Sequence, residues 1–188
     1  MPGSDGALAV SGNVLERLRT LLREEGGLIA TLIEDAARPD QRAKSQSPAS
    51  VAAAGPRTRA RGEEYELLVE AIYEGYLLHY GAPRVVSAAE ADVGLLAGDR
   101  LYAIGLARLV ALGDTAAVAE LADTITLSAL AQGAGAQALA DAVWAAGARA
   151  VGWGSSEEHR RAKDLALSSA PEALEAMRTS AAVPAASP

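Results

Sequence analysis

The chain of 188 residues contains no cysteine and no phenylalanine, and aromatic residues make up only 4% of it. Without cysteine, the protein has no disulfide bond, no thiolate nucleophile and no cysteine-ligated zinc site. Without phenylalanine, alanine, leucine and valine must fill the interior, and such small side chains allow helices to pack closely. Because alanine and leucine also favour helix formation, this composition predicts an all-α protein.

Positive charge is also scarce, since 17 lysine and arginine residues stand against 24 acidic ones and the net charge is −7. Nonspecific binding of nucleic acid needs a basic surface, so we expect no nucleic-acid partner. The longest stretch without a charged residue, 124–140, contains glutamine and glycine and is too short to span a bilayer. We therefore expect no membrane span and a cytoplasmic location.

Hydrophobic residues recur at helical spacing through most of the chain, which predicts an antiparallel helical bundle. The composition divides the chain into five parts. These are a flexible N-terminal tail (1–12), an N-terminal helix (13–36), a basic linker (37–62), a helical domain (63–178) and a disordered C-terminal tail (179–188).

Local signals place several helix ends. Gly26-Gly27 predicts a kink or a break in the N-terminal helix, because glycine disfavours helix formation. Gly81 is expected to end the helix that begins near residue 63. Asp114 or Thr115 is expected to cap a later helix, and the serines at 155–156 to cap another.

The linker 37–62 combines three prolines with six cations and a single anion, Asp40. Such a segment cannot bury enough apolar surface to fold alone. Its cations are able to bind phosphate or an acidic partner, or to lie solvated in a loop, and we favour the solvated loop.

Two consecutive helices, predicted over 63–80 and 87–112, form the structural centre of the chain. The first is apolar on most sides, which is typical of a helix in the middle of a bundle. The second begins with a capping-box pattern at Ser87 and Glu90. Its apolar stripe, which we expect to face the core, consists of Leu95, Tyr102, Leu106, Leu109 and Val110.

Carboxylates are the main candidates for a functional site. Asp92 and Asp99 are seven residues apart and lie on nearly the same side of their helix, and Asp99 falls within the apolar stripe. Such an acid is either half of a metal or diphosphate site or a structural residue with a hydrogen bond or salt bridge, and we favour the structural role. Glu66, Glu70 and Glu74 lack the Glu-x-x-His partner of a di-metal bundle, so we expect a solvated acidic strip.

The two histidines, His79 and His159, are too few for a histidine-rich metal site. His79 falls on an apolar helix face and is expected to be a hydrogen-bonded core residue. His159 lies among charged neighbours on a helix that we expect to be exposed, and we assign it no role.

Two strings in the central helices, Leu77-Leu78-His79 and Leu96-Ala97-Gly98-Asp99, resemble motifs of the trans-isoprenyl (polyprenyl) diphosphate synthase family. The similarity covers about residues 63–131. It implies the isoprenoid-synthase helical fold in a shortened form, with magnesium bridging aspartates to an allylic diphosphate. Asp99 is the only functional position that the resemblance carries over. Asp92, His79 and Arg84 join it as candidates for contact with a diphosphate or other ligand.

The chain departs from that family where the family's chemistry needs metal ligands. Tyr80 and Gly81 stand in place of the aspartate pair of the first aspartate-rich motif, and neither supplies a carboxylate for a magnesium ion. A second aspartate-rich motif does not follow Asp99. We therefore assign no catalytic residue, no metal ligand and no cofactor, and expect magnesium only if the synthase-like site is functional.

These observations leave two main hypotheses. The first is a degenerate synthase-like protein that serves as a non-catalytic partner subunit or binds an isoprenoid chain in the alanine-lined space between the central helices. The second is a helical interaction or scaffold protein unrelated to prenyl transfer. An active prenyltransferase is a third and less favoured hypothesis. A protein partner or a homodimer is expected, and the family resemblance suggests an exposed stripe on helix 87–112 as the dimer interface.

Overall fold

The computed structural model of the chain describes residues 5–34 and 47–182. These residues form nine α-helices and contain no β-strand beyond one isolated bridge between Ile33 and Val86. The all-α prediction is confirmed. The helices are α1 (Asp5–Glu25), α2 (Gly27–Thr31), α3 (Pro48–Ala54), α4 (Gly62–Tyr80), α5 (Ala91–Ala111), α6 (Thr115–Gly133), α7 (Gln137–Trp153), α8 (Glu157–Leu167) and α9 (Ala173–Ala182).

The N-terminal helix breaks at Gly26-Gly27, which separates α1 from α2. Both glycines have positive φ angles, of 68° and 63°, a conformation that other residues rarely adopt. The helix also begins earlier than expected, at Asp5, so the predicted tail over 1–12 is wrong for residues 5–12. The helical prediction is likewise wrong at Ile33, which pairs with Val86. Residues 35 and 36 lie outside the described residues.

The predicted linker is wrong for residues 47–62, where α3 packs against α4 and α7. Ser47 caps α3 by accepting the N–H of Ala49 at 3.2 Å, and Ala49 and Ala52 are fully buried. This alanine-rich stretch has too little apolar surface to fold alone, but its small side chains fit closely against α7, where the backbones of Gly55 and Gly152 touch. The remainder, 37–46, lies outside the described residues.

α4 lies at the centre of the fold, as its apolar surface predicts, because its opposite sides contribute to two cores. One core joins α4 to α3, α6 and α7, and includes Leu68 and Trp144. The other joins α4 to α1 and α5, and includes Ala71 and Leu101. A third core holds α8 and α9 against α6 and α7.

The interface between α4 and α5 is closed by glycine contacts. A Cβ atom on Gly98 would lie 3.0 Å from the carbonyl oxygen of Gly75 and would overlap the ring of His79. A Cβ atom on Gly105 would likewise overlap the side chain of Ile72 and lie 3.0 Å from the carbonyl oxygen of Leu68. The alanine-lined cavity that the sequence suggested between these two helices is therefore filled by their direct contact.

The side of α5 that is buried differs from the predicted stripe. The helix begins at Ala91 without a side-chain cap from Ser87 or Glu90. Leu109 is buried as expected, but Leu95 and Val110 are 45% and 55% exposed. The glycine contacts with α4 decide this orientation, and the residues buried on α5 are Gly94, Ala97, Gly98, Leu101, Ile104, Gly105 and Leu109.

The predicted C-terminal tail begins too early. Residues 179–182 form the last turn of α9, and Ser180 within it is buried. Residues 183–188 lie outside the described residues.

Candidate functional site

His79 and Asp99, one from each of the two motif-like strings, meet between α4 and α5. The Nε2 atom of His79 lies 3.4 Å from Oδ1 of Asp99 and 3.2 Å from the carbonyl oxygen of Leu95. The side chain of His79 is largely buried, in agreement with the expectation of a hydrogen-bonded histidine. The side chain of Asp99 is 69% exposed, so the prediction of a core-facing acid is wrong.

Asp92 does not join this pair. It lies exposed in the first turn of α5, where the positive end of the helix dipole favours a carboxylate. Seven residues of helix separate it from Asp99, a rise of about 10 Å. The two aspartates therefore do not converge on one site.

Arg84, the fourth candidate, is buried and engaged by two acids of α4. Its Nε–H donates to Oε2 of Glu74 at 3.2 Å, and its Nη2 donates to Glu70. Glu74 also accepts the backbone N–H groups of Arg84 and Val85, each at 2.6 Å. Arg84 therefore holds the segment after α4 against that helix.

Glu70 and Glu74 are only 1% and 0% exposed, so the prediction of a solvated acidic strip is wrong for both. The segment that follows α4 folds back along the helix and covers them. Burial raises the pKa of Glu70, although the positive charge of Arg84 and a hydrogen bond from Ser47 act in the opposite direction.

The buried ion network reaches two further parts of the chain. The hydroxyl of Ser47 donates to Oε2 of Glu70 at 3.0 Å, which ties the start of α3 to α4. Arg19 of α1 is fully buried and donates to the carbonyl oxygens of Glu34 and Arg84, at 2.9 and 3.3 Å. The network thus joins α1, α3 and α4, which is a structural role.

Five of the seven aromatic residues form one cluster beside the His79–Asp99 pair. The ring of Tyr76 lies 5.5 Å from Tyr80 and 5.2 Å from Trp144. The ring of His79 lies 5.3 Å from Tyr102 and 5.7 Å from Tyr80. The members of the aromatic cluster are Tyr73, Tyr76, Tyr80, Tyr102 and Trp144.

The aromatic cluster opens to solvent at one end, where Tyr80 is exposed and Tyr102 is half-buried. Burial raises the pKa of Tyr102, and the neighbouring Tyr80, Tyr76 and Asp99 raise it further. We call the open end, with His79, Tyr76, Tyr80, Asp99 and Tyr102, the tyrosine site. It combines aromatic faces with one exposed carboxylate.

His159 is buried, so the prediction of an exposed histidine without a role is wrong. Its Nε2 lies 2.6 Å from Oε1 of Glu120, and its Nδ1 lies 3.1 Å from Oγ of Ser180. Lys163 donates to Oε2 of Glu120 at 3.0 Å and to Asp123 at 2.7 Å. The charged neighbours of His159 conceal a sequence signal, because Ala162 and Ala166 follow it at helical spacing on the buried face.

This second cluster contains a serine, a histidine and an acid in hydrogen-bond contact, an arrangement that also activates serine nucleophiles. Ser180, however, lies within α9, is buried, and donates its hydroxyl to the carbonyl oxygen of Met177 at 3.0 Å. The cluster instead bridges α6, α8 and α9 through buried hydrogen bonds. We interpret it as structural.

Within residues 5–34 and 47–182, no group of three or more histidine or acidic side chains has the arrangement of a metal site. No helix in the described part of the chain is long and apolar enough to cross a membrane.

No protein-family model matches the sequence, and neither does any curated protein or solved structure. A functional proposal therefore rests on the geometry of this chain.

Proposed function

We propose that this protein is a non-catalytic helical interaction protein that self-associates through the outer face of α5. The observation that carries the proposal is the apolar character of that face. Leu95, Leu96 and Val110 are exposed large hydrophobic residues, and the exposed Ala103 and Ala107 lie between them. We call these five residues the α5 face.

A helix that is apolar on both sides is usually buried on both sides. The inner side of α5 packs on α4 through Gly98, Gly105 and Leu101. The exposed Asp99 and Arg100 lie between Leu96 and Ala103. An exposed apolar surface with polar residues beside it is typical of a protein interaction site.

A pocket of about 310 Å³ lies next to the α5 face, where α5 meets the α1–α2 break. Leu96 and Arg100 line it from α5, and Leu28 and Ile29 line it from α2. Leu28 and Leu96 are 55% and 62% exposed. The exposed side chain of Leu96 thus lies beside a pocket that can hold a leucine side chain from a partner.

This adjacency favours a second copy of the chain as the partner. In a two-fold symmetric dimer each surface meets its own copy, so Leu96 of each protomer can enter the pocket of the other. Ala103 and Ala107 leave room for two helices to approach closely, since interaxial distance depends on the side chains at the contact.

The isoprenoid-binding form of the sequence-based hypothesis gains no support from the α4–α5 interface, because Gly75 and Gly98 are in direct contact there. The partner-subunit form remains compatible with the α5 face. A different helical subunit that docks on this face would replace the second copy.

Sedimentation velocity over a wide concentration range tests the proposal. We expect a dimer for the unmodified chain and at least a tenfold weaker association for Leu96→Glu, because the substitution places a charge in the apolar contact; tenfold corresponds to about 1.4 kcal/mol. The matched control is Leu167→Glu on α8, where an equally exposed leucine lies on another helix. A chain that is monomeric throughout, or an equal effect of Leu167→Glu, would contradict the proposal.

Because the chain contains no cysteine, single-cysteine variants give a second test. Ala103→Cys on the α5 face is expected to form a disulfide-linked dimer rapidly under mild oxidation. Ala122→Cys, at an exposed position of α6, is expected to form one slowly. Equal rates for the two variants would show that association does not involve α5.

A further inference from the structure

The tyrosine site combines aromatic faces with the negative charge of Asp99, a combination that an apolar self-association surface does not require. We propose that it binds an organic cation, that is, an ammonium or guanidinium group. The faces of Tyr80 and Tyr102 would contact the cation, and the exposed carboxylate of Asp99 would supply the opposing charge.

The geometry brings these groups together from two helices. Nε2 of His79 on α4 lies 3.4 Å from Oδ1 of Asp99 on α5, and the centre of the His79 ring lies 5.7 Å from that of Tyr80 and 5.3 Å from that of Tyr102. The ring of buried Tyr76 lies 5.5 Å from that of Tyr80 and packs against it. Tyr80 and Asp99 are both exposed, so a cation can reach them from solvent.

The electrostatics at this end of the bundle favour a positive ligand. Tyr80 is the last residue of α4, and the carbonyl groups of a helix C-terminus carry partial negative charge. α6 ends at the same place, because Gln132 in its last turn donates to the hydroxyl of Tyr76 at 2.6 Å. Asp99 adds a full negative charge to these two helix ends.

The aromatic cluster already accommodates a cation on its inner side. The guanidinium of Arg84 lies 5.3 Å from the centre of the Tyr73 ring, within the distance at which a ring face attracts a cation. The outer side presents the same type of ring together with a carboxylate.

The same chemistry disfavours a diphosphate at this site. A diphosphate needs cations around it, whereas Asp99 is negative and Arg84 is engaged by Glu70 and Glu74. Magnesium prefers several oxygen ligands in an octahedral arrangement, whereas an ammonium or guanidinium group is attracted by ring faces. His79 and Asp99 therefore suit a cation better than the ligand that their sequence motifs suggest.

The test is a titration with two probes, tetramethylammonium chloride and N-acetyl-arginine amide, followed by NMR of the tyrosine ring protons. Sodium chloride at equal ionic strength is the reference. We expect saturable shifts of the Tyr80 and Tyr102 resonances with at least one probe and no comparable shift for Tyr65, which lies at the other end of α4. Tetramethylammonium represents a small free ligand, and the arginine amide represents a side chain of a protein partner.

Three variants separate binding from folding. Tyr80→Leu is expected to weaken binding about three-fold, the typical effect of one exposed cation–π contact. Asp99→Asn is expected to weaken it by a similar factor, because it removes the opposing charge of an exposed ion pair. Tyr80→Phe keeps the ring and is expected to bind as the unmodified chain does. Shifts that match those in sodium chloride, or equal affinities for Tyr80→Leu and Tyr80→Phe, would overturn the proposal.

The titration is repeated with Val110→Glu, which places a charge in the α5 face about 16 Å along the helix from Asp99. Cation binding is expected to persist when self-association is lost, so the two proposals can fail separately.

Discussion

Arg84 donates its Nε–H to Oε2 of Glu74 at 3.2 Å in the interior of the protein, where both side chains are almost completely hidden from solvent. The same guanidinium pairs with Glu70. Glu74 also accepts backbone N–H groups from the segment after α4, including that of Val85 at 2.6 Å. Two glutamates on the central helix thus direct how the chain returns from α4 to α5.

Arg84→Met should destabilise the protein by about 3–5 kcal/mol, because it leaves two buried carboxylates without their cation. Urea denaturation measures the free energy of unfolding. The control is Arg100→Met, whose partner Glu25 lies nearer the surface and whose own side chain is exposed. We expect the control to cost less than about 1 kcal/mol. Similar losses for the two variants would show that the Arg84 network does not stabilise the fold.

Gly105→Ala should destabilise the protein although alanine is the better helix former. An added methyl group would overlap Ile72 and lie 3.0 Å from the backbone oxygen of Leu68, so α4 and α5 would have to separate. Overpacking of this kind typically costs about 1–3 kcal/mol. Thermal denaturation checks the effect.

The matched control is Gly133→Ala at the end of α6, where nothing lies within 4 Å of the added methyl group. We expect this variant to be unchanged or slightly more stable, because alanine raises helix propensity. Equal stability of Gly105→Ala and Gly133→Ala would contradict the close contact between α4 and α5 at Gly105.

Glu120 should stabilise the protein at neutral pH and lose that effect in acid. Burial by itself raises the pKa of Glu120, but hydrogen bonds and positive charge from His159 and Lys163 outweigh burial and hold the pKa below the ordinary value of 4.5. The folded state therefore binds a proton less readily than the unfolded chain. The contribution is present above pH 4.5 and is lost as the pH falls through the folded-state pKa.

The measurement compares the free energy of unfolding of the unmodified chain with that of Glu120→Gln from neutral to acid pH. We expect the difference to shrink as the pH falls. Glu70→Gln is the control. Burial raises the pKa of Glu70, so its ionisation opposes folding, and the pH dependence of the stability difference should have the opposite sign. A pH-independent difference for Glu120→Gln would contradict the pKa shift.

Tyr65 should make the protein sensitive to alkali. Burial, followed by a hydrogen bond to Asp114 of 2.7 Å, raises the pKa of Tyr65 from 10.0 to about 12. The folded state thus retains the phenol proton more tightly. The corresponding stability is complete below pH 10 and is lost as the pH rises towards 12, because the unfolded chain ionises first.

Tyr65→Phe should remove this alkaline loss and cost about 2 kcal/mol at neutral pH, since the lost hydrogen bond goes to a charged group. Denaturation at neutral and alkaline pH measures both effects. An alkaline loss that is unchanged in Tyr65→Phe would show that another group is responsible.

Signals that act within a few residues were readable from the sequence. The helix predicted over 63–80 is observed as Gly62–Tyr80 and ends at Gly81. Asp114 caps α6 by accepting the N–H of Ala117 at 3.0 Å, and Ser156 caps α8 by accepting the N–H of His159 at 3.1 Å. These features depend on backbone groups three positions away, so local reasoning was sufficient.

The identity of the buried face was not readable in the same way. The pattern of large apolar residues placed the core side of α5 at Leu95 and Val110, but Gly98 and Gly105 make the closest contact. Glycine has no side chain and adds nothing to a hydrophobic pattern. Its value in packing appears only when a second backbone, here that of α4, approaches it.

For the candidate site, the sequence named His79 and Asp99 among its ligand candidates but gave no indication that tyrosines surround them or that Arg84 is buried elsewhere. Residues that are far apart in the chain decide these environments, such as Tyr76 with Gln132 and His159 with Glu120. A charged residue in a polar stretch is exposed or buried according to whether a distant partner covers it.

The sequence by itself determined the helical class, many helix ends and the close packing that follows from a core of alanine and leucine. Only the tertiary structure decided that Glu70, Glu74 and His159 are interior residues, that the space between α4 and α5 is filled, and that the outer side of α5 is open. Helix formation is governed by neighbouring residues along the chain, whereas burial is governed by which helices meet.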